Sequence, residues 1–325
     1  MKDTSFGRYL GVALVVAIVA LLPRFIPSYA AFELTYVGAY AIGILGLTIL
    51  TGTSGQISLG HGAFFAIGGY TVAVLGQKLG VPYWLSLPLA ALLSGIIGLG
   101  LGLVALRLEG IYLALATFAL AVSTPSTLKH FRGLTGGSQG LVIAPLEAPA
   151  PLHGVLTSEQ WLYYVTWLLA GALFGLTAFA LSGRLGRALR ALRDNEVAAV
   201  SFGIDPQLHK TLAFGWSAAY AGVAGAIVAI ATAFVSPDTY TVALSLSLVT
   251  GAVLGGIDLL WGALIGGAIV EFLPLVVQKV NPAAPSVVYG VALVLFMIFL
   301  PGGIGRAIRS TFTSLRLRGT QHARS

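Results

Sequence analysis

The residues best suited to chemistry lie in one glycine-rich stretch, positions 55–69. Gln56, Ser58 and His61 are its polar members, and Ser58 and His61 share one face of a helix because they are three residues apart. Amide, hydroxyl and imidazole groups can hydrogen-bond a polar solute. We therefore predict that they line a polar path together with Gly62. The alternative is that Gln56 and Ser58 cap a helix and His61 is a packing residue.

A second candidate is Glu271, an acidic residue inside a long apolar run, three positions before Pro274. A carboxylate at the centre of a membrane helix costs about 2.5 to 3.5 kcal/mol on insertion scales, so it should face protein or water. Glu271 is therefore a second candidate for the path. It could instead be protonated, or bonded to backbone groups that Pro274 leaves free.

The sequence gives no sign of an enzyme. The 11 carboxylates fall mostly in polar segments, the 5 histidines are scattered, and there are no cysteines for thiolate metal sites or disulfides. No phosphate-binding Gly-x-x-x-x-Gly-Lys-Ser/Thr loop occurs. We predict no cofactor for this chain, and any ATP that its function needs must be bound by partner subunits.

The composition points to a membrane protein. Only 9% of the 325 residues are charged and 57% are hydrophobic, whereas soluble domains carry about 25% charged residues. A soluble fold of this size could not cover its surface with so few charges. The net charge of +7 is best explained by basic loops between apolar runs, so nucleic-acid binding is not expected.

About ten apolar stretches approach the roughly 20 residues that cross a bilayer. They are 9–26, 34–50, 57–76, 83–106, 111–128, 161–181, 208–232, 241–254, 259–279 and 286–300. We predict an all-α polytopic helical bundle forming one transmembrane domain over residues 1–325. The first stretch also resembles a cleavable signal peptide, although a retained helix is favoured.

The distribution of Lys and Arg predicts the orientation, because cytoplasmic loops carry the excess of positive charge. The inner cations of the ten-helix arrangement are Lys2, Arg8, Arg107, Arg184, Arg187, Arg190, Arg193, Lys210, Arg306, Arg309, Arg316, Arg318 and Arg324. The outer cations are Arg24, Lys78, Lys129, Arg132 and Lys279. Both termini are therefore predicted in the cytoplasm, with loop 129–158 outside and a basic tail, 301–325, at the anionic lipid of the inner leaflet.

The inner loop 183–207 has the pattern of a helix, a stop and a second helix start. Asp194 or Asn195 can cap a short helix, Gly203 suits a left-handed stop, and Asp205 with Pro206 is typical of a helix start. We expect small alanines at 198 and 199 to be exposed. The loop could dock into a groove of another protein, or it could simply be a solvated basic loop.

Five segments together resemble one known family. They are TGTSGQISLGHGAFF at 51–65, GIYLALAT at 110–117, TGGSQGL at 135–141, RALRDNEVAAVSFG at 190–203 and PGGI at 301–304. In this order they resemble the LivM-type permeases of bacterial branched-chain amino acid ABC importers. The resemblance implies an inner-membrane permease that pairs with a homologous second permease, two cytoplasmic ATP-binding subunits and an extracytoplasmic substrate-binding protein.

The resemblance also assigns a role to the inner loop, as the coupling element that contacts an ATP-binding subunit. The residues it implies for this contact are Arg190, Arg193, Asp194, Asn195, Glu196, Ala198, Ala199 and Gly203. The implied substrate is a branched-chain amino acid, with other amino acids, urea and small amides left open.

A second glycine motif predicts a two-half repeat. GGIDLLWGA at 255–263 aligns with GQISLGHGA at 55–63, with identical residues at five of the nine positions. Duplicated halves are common in transporters. Asp258 and Trp261 depart from the small residues that usually follow in this family. Two other functions stay open: a secondary transporter or channel that uses Glu271 as its coupling carboxylate, and a structural membrane anchor.

Overall fold

The computed structural model describes residues 19, 21–108, 110–148, 156–280, 290–291 and 304. Its α-helices are α1 Ser28–Leu47, α2 His61–Leu79, α3 Tyr83–Ala105, α4 Ile111–His130, α5 Arg132–Thr135, α6 Ser158–Ser182, α7 Arg184–Asp194, α8 Glu196–Ser201, α9 Pro206–Thr232, α10 Val242–Gly255 and α11 Gly262–Val280. The prediction of an all-α membrane protein is confirmed.

Six stretches within these ranges are long and apolar enough to cross a membrane. They are Ser28–Thr53, Tyr83–Ala105, Ile111–His130, Ser158–Ser182, Pro206–Thr232 and Pro237–Gly255. Every predicted span from the second to the ninth coincides with a helix. Most of span 9–26 and of span 286–300, and all of tail 301–325 except residue 304, lie outside the described residues. The total of ten helices therefore stays a prediction.

Helices α1 and α9 form the centre of the bundle. Both are largely buried, and α9 packs along α1, α2 and α3. Helices α3, α4 and α6 keep most of their surface exposed. The crossing of α2 and α9 is close because both helices carry glycine there: a Cβ at Gly68 would overlap the Gly222 carbonyl, and a Cβ at Gly225 would overlap the Phe65 carbonyl. Small residues permit such contact between membrane helices.

The first part of segment 129–158, predicted as a loop, contains regular secondary structure. Helix α4 continues to His130, α5 follows, and strand β1 (Leu141–Val142) pairs antiparallel with strand β2 (Phe234–Val235). Lys129 forms an ion pair with Asp238 at 2.6 Å. Residues 149–155 lie outside the described part of the chain. The sequence missed α5 and β1 because elements this short depend on tertiary contacts rather than on a periodic pattern.

Candidate functional site

The candidate path begins where α1 loses its regular α-helical spacing. A π-helical turn, Thr48–Thr53, extends α1, and the backbone N–H of Gln56 donates to the Leu50 carbonyl at 3.1 Å. Gly55 has φ of 76°, which glycine adopts without steric strain. The chain then reverses direction, and α2 begins at His61.

Gln56 connects this turn to the start of α9. The side chain is buried, and Nε2 donates to Ser54 Oγ at 2.9 Å and to the Lys210 carbonyl at 3.2 Å. Thr51 Oγ1 donates to the Gln56 carbonyl at 2.9 Å. These bonds hold the irregular segment in place, as a buried backbone without regular partners requires.

His61 lies in a hydrogen-bond chain whose direction can be derived. Ser217 has one hydroxyl proton and donates it to the Gly46 carbonyl at 2.7 Å, so its oxygen accepts from His61 Nε2–H, also at 2.7 Å. His61 Nδ1 then accepts from the Ser58 hydroxyl at 3.2 Å, and Ser58 Oγ accepts from the Gly60 N–H at 3.3 Å. With a neutral imidazole, every polar side-chain atom in this hydrogen-bond chain therefore has a partner.

The next residue, Gly62, is enclosed as well. Its N–H donates to Ser245 Oγ at 2.9 Å, and a Cβ at this position would lie 2.6 Å from that oxygen. Ser58 and His61 are 1% and 0% exposed. In this conformation Ser58, His61 and Gly62 are sealed between α2, α9 and α10, whereas the buried Gln56 borders a polar cavity that Arg193 and Lys210 also line. Their place in a transport path stays a prediction, and it requires α2 to part from α9.

The hydrogen-bond chain leads to a stability prediction. Ser217→Ala leaves the buried His61 Nε2–H without an acceptor, which should cost about 1 to 3 kcal/mol in the free energy of unfolding. Ser182→Ala is the matched control, because that exposed hydroxyl bonds only the Phe179 carbonyl of its own helix. Unfolding in detergent should separate the two variants. Equal unfolding stabilities of the two variants would contradict the hydrogen-bond chain derived for His61.

The segment 183–207 forms the predicted helix, stop and helix start. Asn195 Oδ1 accepts the Ala198 N–H at 3.0 Å and is the cap of α8, and Gly203 takes φ of 81°. Asp205 Oδ1 accepts the Gln207 N–H at 2.8 Å at the start of α9. Helix α7 is amphipathic and buries Gly186, Leu189 and Leu192. We call residues 184–203 the coupling element after the role that the family resemblance implies, and that role stays a prediction.

The exposed face of the coupling element differs from the expectation. Ala198 is exposed, but Ala199 is only 3% exposed, because neighbouring residues of a helix point about 100° apart. The outward side chains are instead Val197, Val200 and Phe202, which are 80%, 49% and 87% exposed. The coupling element therefore presents an apolar outer face, which we define by these three residues.

Several charged residues expected to contact a partner are paired within the chain. Arg190 Nη2 donates to the Leu181 carbonyl at 3.3 Å near the end of α6. Glu196 forms an ion pair with Lys210 at 2.6 Å. Arg193 and Asp194 pair at 3.1 Å. The contacts of Arg190 and Glu196 join the coupling element to α6 and α9, whereas the Arg193–Asp194 pair lies within α7. Any contact of these residues with a partner stays a prediction.

Glu271 lies half-buried on α11, within electrostatic range of Glu33 on α1. Glu33 is buried within the chain. The sequence interpretation missed Glu33 because it directly precedes the predicted span 34–50, whereas α1 begins at Ser28. Both carboxylates therefore lie between α1 and α11.

Comparison with known proteins identifies the family. The profile described as "Branched-chain amino acid transport system / permease component" matches residues 29–300. The chain belongs to this family. The resemblance drawn from the five segments is confirmed, and the relatives are transport permeases rather than enzymes.

Individual relatives agree with the family. The high-affinity branched-chain amino acid transport system permease protein LivM of Escherichia coli K12 is 32% identical over 286 residues, which cover 82% of this chain and 67% of LivM. LivH of the same organism is 28% identical over 82% of this chain and 90% of the length of LivH. The autoinducer 2 import system permease protein LsrC of Salmonella paratyphi B is 32% identical over 60% of this chain and 54% of the length of LsrC. No solved structure matches the chain.

Three hydroxyl residues of the site were missed by sequence reasoning. Ser217 and Ser245 hold His61 and Gly62, and Thr117 Oγ1 accepts the Leu59 N–H at 3.0 Å. The available signal was a Ser or Thr inside an apolar span, where a hydroxyl needs a partner. That signal does not say which partner, because the bonded residues lie far apart in sequence.

Proposed function

We propose that this chain is one permease subunit of an ATP-driven importer of branched-chain amino acids. It works with a homologous second permease, two cytoplasmic ATP-binding subunits and an extracytoplasmic substrate-binding protein. The names of LivM and LivH support the substrate class. LsrC, similar over a shorter stretch, is named for autoinducer 2, so the family is not confined to amino acids.

The observation that carries this proposal is the outer face of the coupling element. Val197, Val200 and Phe202 project from a capped helical unit that follows α6 and precedes α9, and each is about half or more exposed in the described part of the chain. Exposed apolar groups rimmed by charge are typical of protein interaction sites. Since the sequence has no phosphate-binding loop, the proposed occupant is the subunit that binds ATP.

The exposed sides of α3, α4 and α6 support a second membrane subunit. On α4, Ser123, Ser126 and Thr127 lie on the exposed side of an apolar span. Hydroxyls at membrane depth suit a protein contact or a wet route better than lipid. The residues that we propose for the transport path itself are Gln56, Ser58, His61, Gly62 and Glu271.

The two glycine motifs support a two-half organisation. Positions 55–63 cover the turn after α1 and the first residues of α2, and positions 255–263 cover the last residue of α10, the turn that follows and the first residues of α11. Each turn has a glycine with positive φ, 76° at Gly55 and 105° at Gly256, although Gly256 stands one position after the residue that aligns with Gly55. In this proposal the two turns are equivalent parts of the halves.

The charge distribution supports the proposed orientation in the inner membrane. Arg193 and Lys210 lie at the end of the bundle that carries the coupling element, whereas Lys129 lies at the opposite end of α4. The end with the coupling element is therefore proposed to be cytoplasmic, with both termini on the same side.

Competition for uptake tests the substrate class. The assembled complex in proteoliposomes, supplied with its binding protein and with ATP, should take up radiolabelled leucine. Excess unlabelled isoleucine or valine should reduce leucine uptake, because they share its branched apolar side chain, whereas excess glutamate should not. Uptake of leucine that isoleucine and valine leave unchanged would contradict a branched-chain specificity.

A further inference from the structure

Arg193 joins three separate parts of the described chain. It lies at the end of α7, and its Nη1 donates to the Gly52 carbonyl at 2.6 Å and to Asp258 Oδ1 at 3.4 Å. Gly52 belongs to the π-helical turn at the end of α1, and Asp258 belongs to the turn between α10 and α11. One guanidinium of the coupling element therefore contacts the π-helical turn that leads into the first glycine motif and the turn that contains the second, and we call these two the glycine-motif turns.

The chemistry of each contact suits arginine. The carbonyl of Gly52 stands near the end of a helix, where carbonyls lack intrahelical donors and carry partial negative charge. A guanidinium has several donors in one plane, so it can serve this carbonyl and a carboxylate together. Lysine has a compact ammonium on a flexible stem and cannot reproduce this planar arrangement.

Steric contacts reinforce the same junction. A Cβ at Gly55 would lie 2.8 Å from Arg193 Cγ, so the arginine stem passes directly over this glycine. A Cβ at Gly52 would overlap the Ile257 carbonyl, so the two turns also meet each other. The side chain of Arg193 is only 34% exposed. The hydrogen bond to the Gly52 carbonyl is part-buried, whereas the ion pair with Asp258, whose side chain is 42% exposed, is open to solvent.

We propose that Arg193 is a positioning residue that ties the coupling element to both glycine-motif turns. Movement of the coupling element then displaces the ends of α1 and α10 together. This inference rests on the proposed function, because it assigns the residue by which ATP hydrolysis outside the chain reaches the membrane helices. In this arrangement Arg193 faces inward to the permease, and the outer face contacts the ATP-binding subunit.

The test compares leucine uptake with ATP hydrolysis in the reconstituted complex. Arg193→Met keeps the stem over Gly55 and removes the polar contacts with Gly52, Asp258 and Asp194, so uptake per ATP hydrolysed should fall about tenfold. In Arg193→Lys the ratio of uptake to ATP hydrolysed should fall less. Asp258→Asn should lower the ratio by a smaller factor, and adding it to Arg193→Met should have no further effect, because the contact is already lost.

Arg187→Met is the matched control, since Arg187 lies on the same helix and donates only to the Ser182 carbonyl at 3.4 Å. It should leave the ratio unchanged. An unchanged ratio in Arg193→Met, or an equal fall in Arg187→Met, would overturn the inference. If Arg193→Met does not assemble, Asp258→Asn decides the matter: a normal ratio overturns the inference and a reduced ratio supports it.

The two proposals fail differently. A wild-type complex without ATP-dependent uptake would refute the proposed function. A wild-type complex with normal uptake, whose ratio does not change in Arg193→Met, would refute only the role of Arg193. Thermal unfolding of each variant separates a positioning role from a structural one, because loss of coupling should leave the unfolding temperature close to that of the wild type.

Discussion

Phe202→Asp should abolish assembly with the ATP-binding subunits while leaving the permease folded. Phe202 is 87% exposed, so its replacement removes no packing within the described chain. An aromatic anchor at a protein interface commonly contributes about 2 kcal/mol or more of binding free energy, and a buried unpaired carboxylate adds a desolvation cost. Co-purification should fall about thirtyfold or more. Uptake should fall with it.

Gln207→Asp is the control for this substitution. It places the same charge at an exposed position on the same side, in the first turn of α9, without removing an apolar group. We expect normal co-purification and normal uptake. Equal losses in the two variants would indicate a general effect of charge, and full assembly of Phe202→Asp would contradict docking through this face.

The corrected position of Ala199 changes how docking should be tested. A large charged residue at 199 would be forced into a site that is 3% exposed, so it should destabilise the permease itself. Loss of uptake in such a variant would not report on docking. Val200→Asp is the informative neighbour, because Val200 is 49% exposed and belongs to the outer face.

Gly68→Ala combined with Gly225→Ala should prevent the bundle from folding. A Cβ at Gly68 overlaps a backbone carbonyl of α9, and a Cβ at Gly225 overlaps a backbone carbonyl of α2, so neither can be relieved by a side-chain rotation. Overpacking costs about 1 to 3 kcal/mol at each site, and here α2 must move away from α9. The double variant should give no monodisperse permease after extraction in detergent.

Gly76→Ala is the matched control on the same helix. A Cβ at Gly76 would have no atom within 4 Å, and alanine has the higher helix propensity. This variant should purify like the wild type or unfold at a slightly higher temperature. A folded, monodisperse Gly68→Ala/Gly225→Ala protein would contradict the close crossing of α2 and α9.

The sequence predicted the features that depend on local pattern. Apolar length placed the eight spans that fall within the described residues, and cap chemistry placed Asn195, Gly203 and Asp205. The direction of Ala199 could not be predicted, because α8 has only six residues and shows no usable period. Glu33 was missed for a related reason, since the limits of an apolar run are less exact than its existence.

Contacts between distant parts of the chain were beyond the reach of sequence reasoning. His61 and Ser217 are separated by 156 positions, Gly62 and Ser245 by 183, and Arg193 and Gly52 by 141. The polarity of these residues was visible, but the choice of partner depends on how α2, α9 and α10 cross. For this reason the sequence identified Ser58 and His61 as polar, and only the structure showed that they are sealed inside the bundle.

The most direct test of the account is the energy source of transport. Proteoliposomes holding the assembled complex should take up leucine only with its binding protein present and hydrolysable ATP on the side of the coupling element. The permease chain alone should show no uptake under a proton or sodium gradient, although Glu271 is the carboxylate that such coupling would use. Gradient-driven uptake by the chain alone, lost in Glu271→Gln, would contradict an ATP-driven permease and establish a secondary transporter.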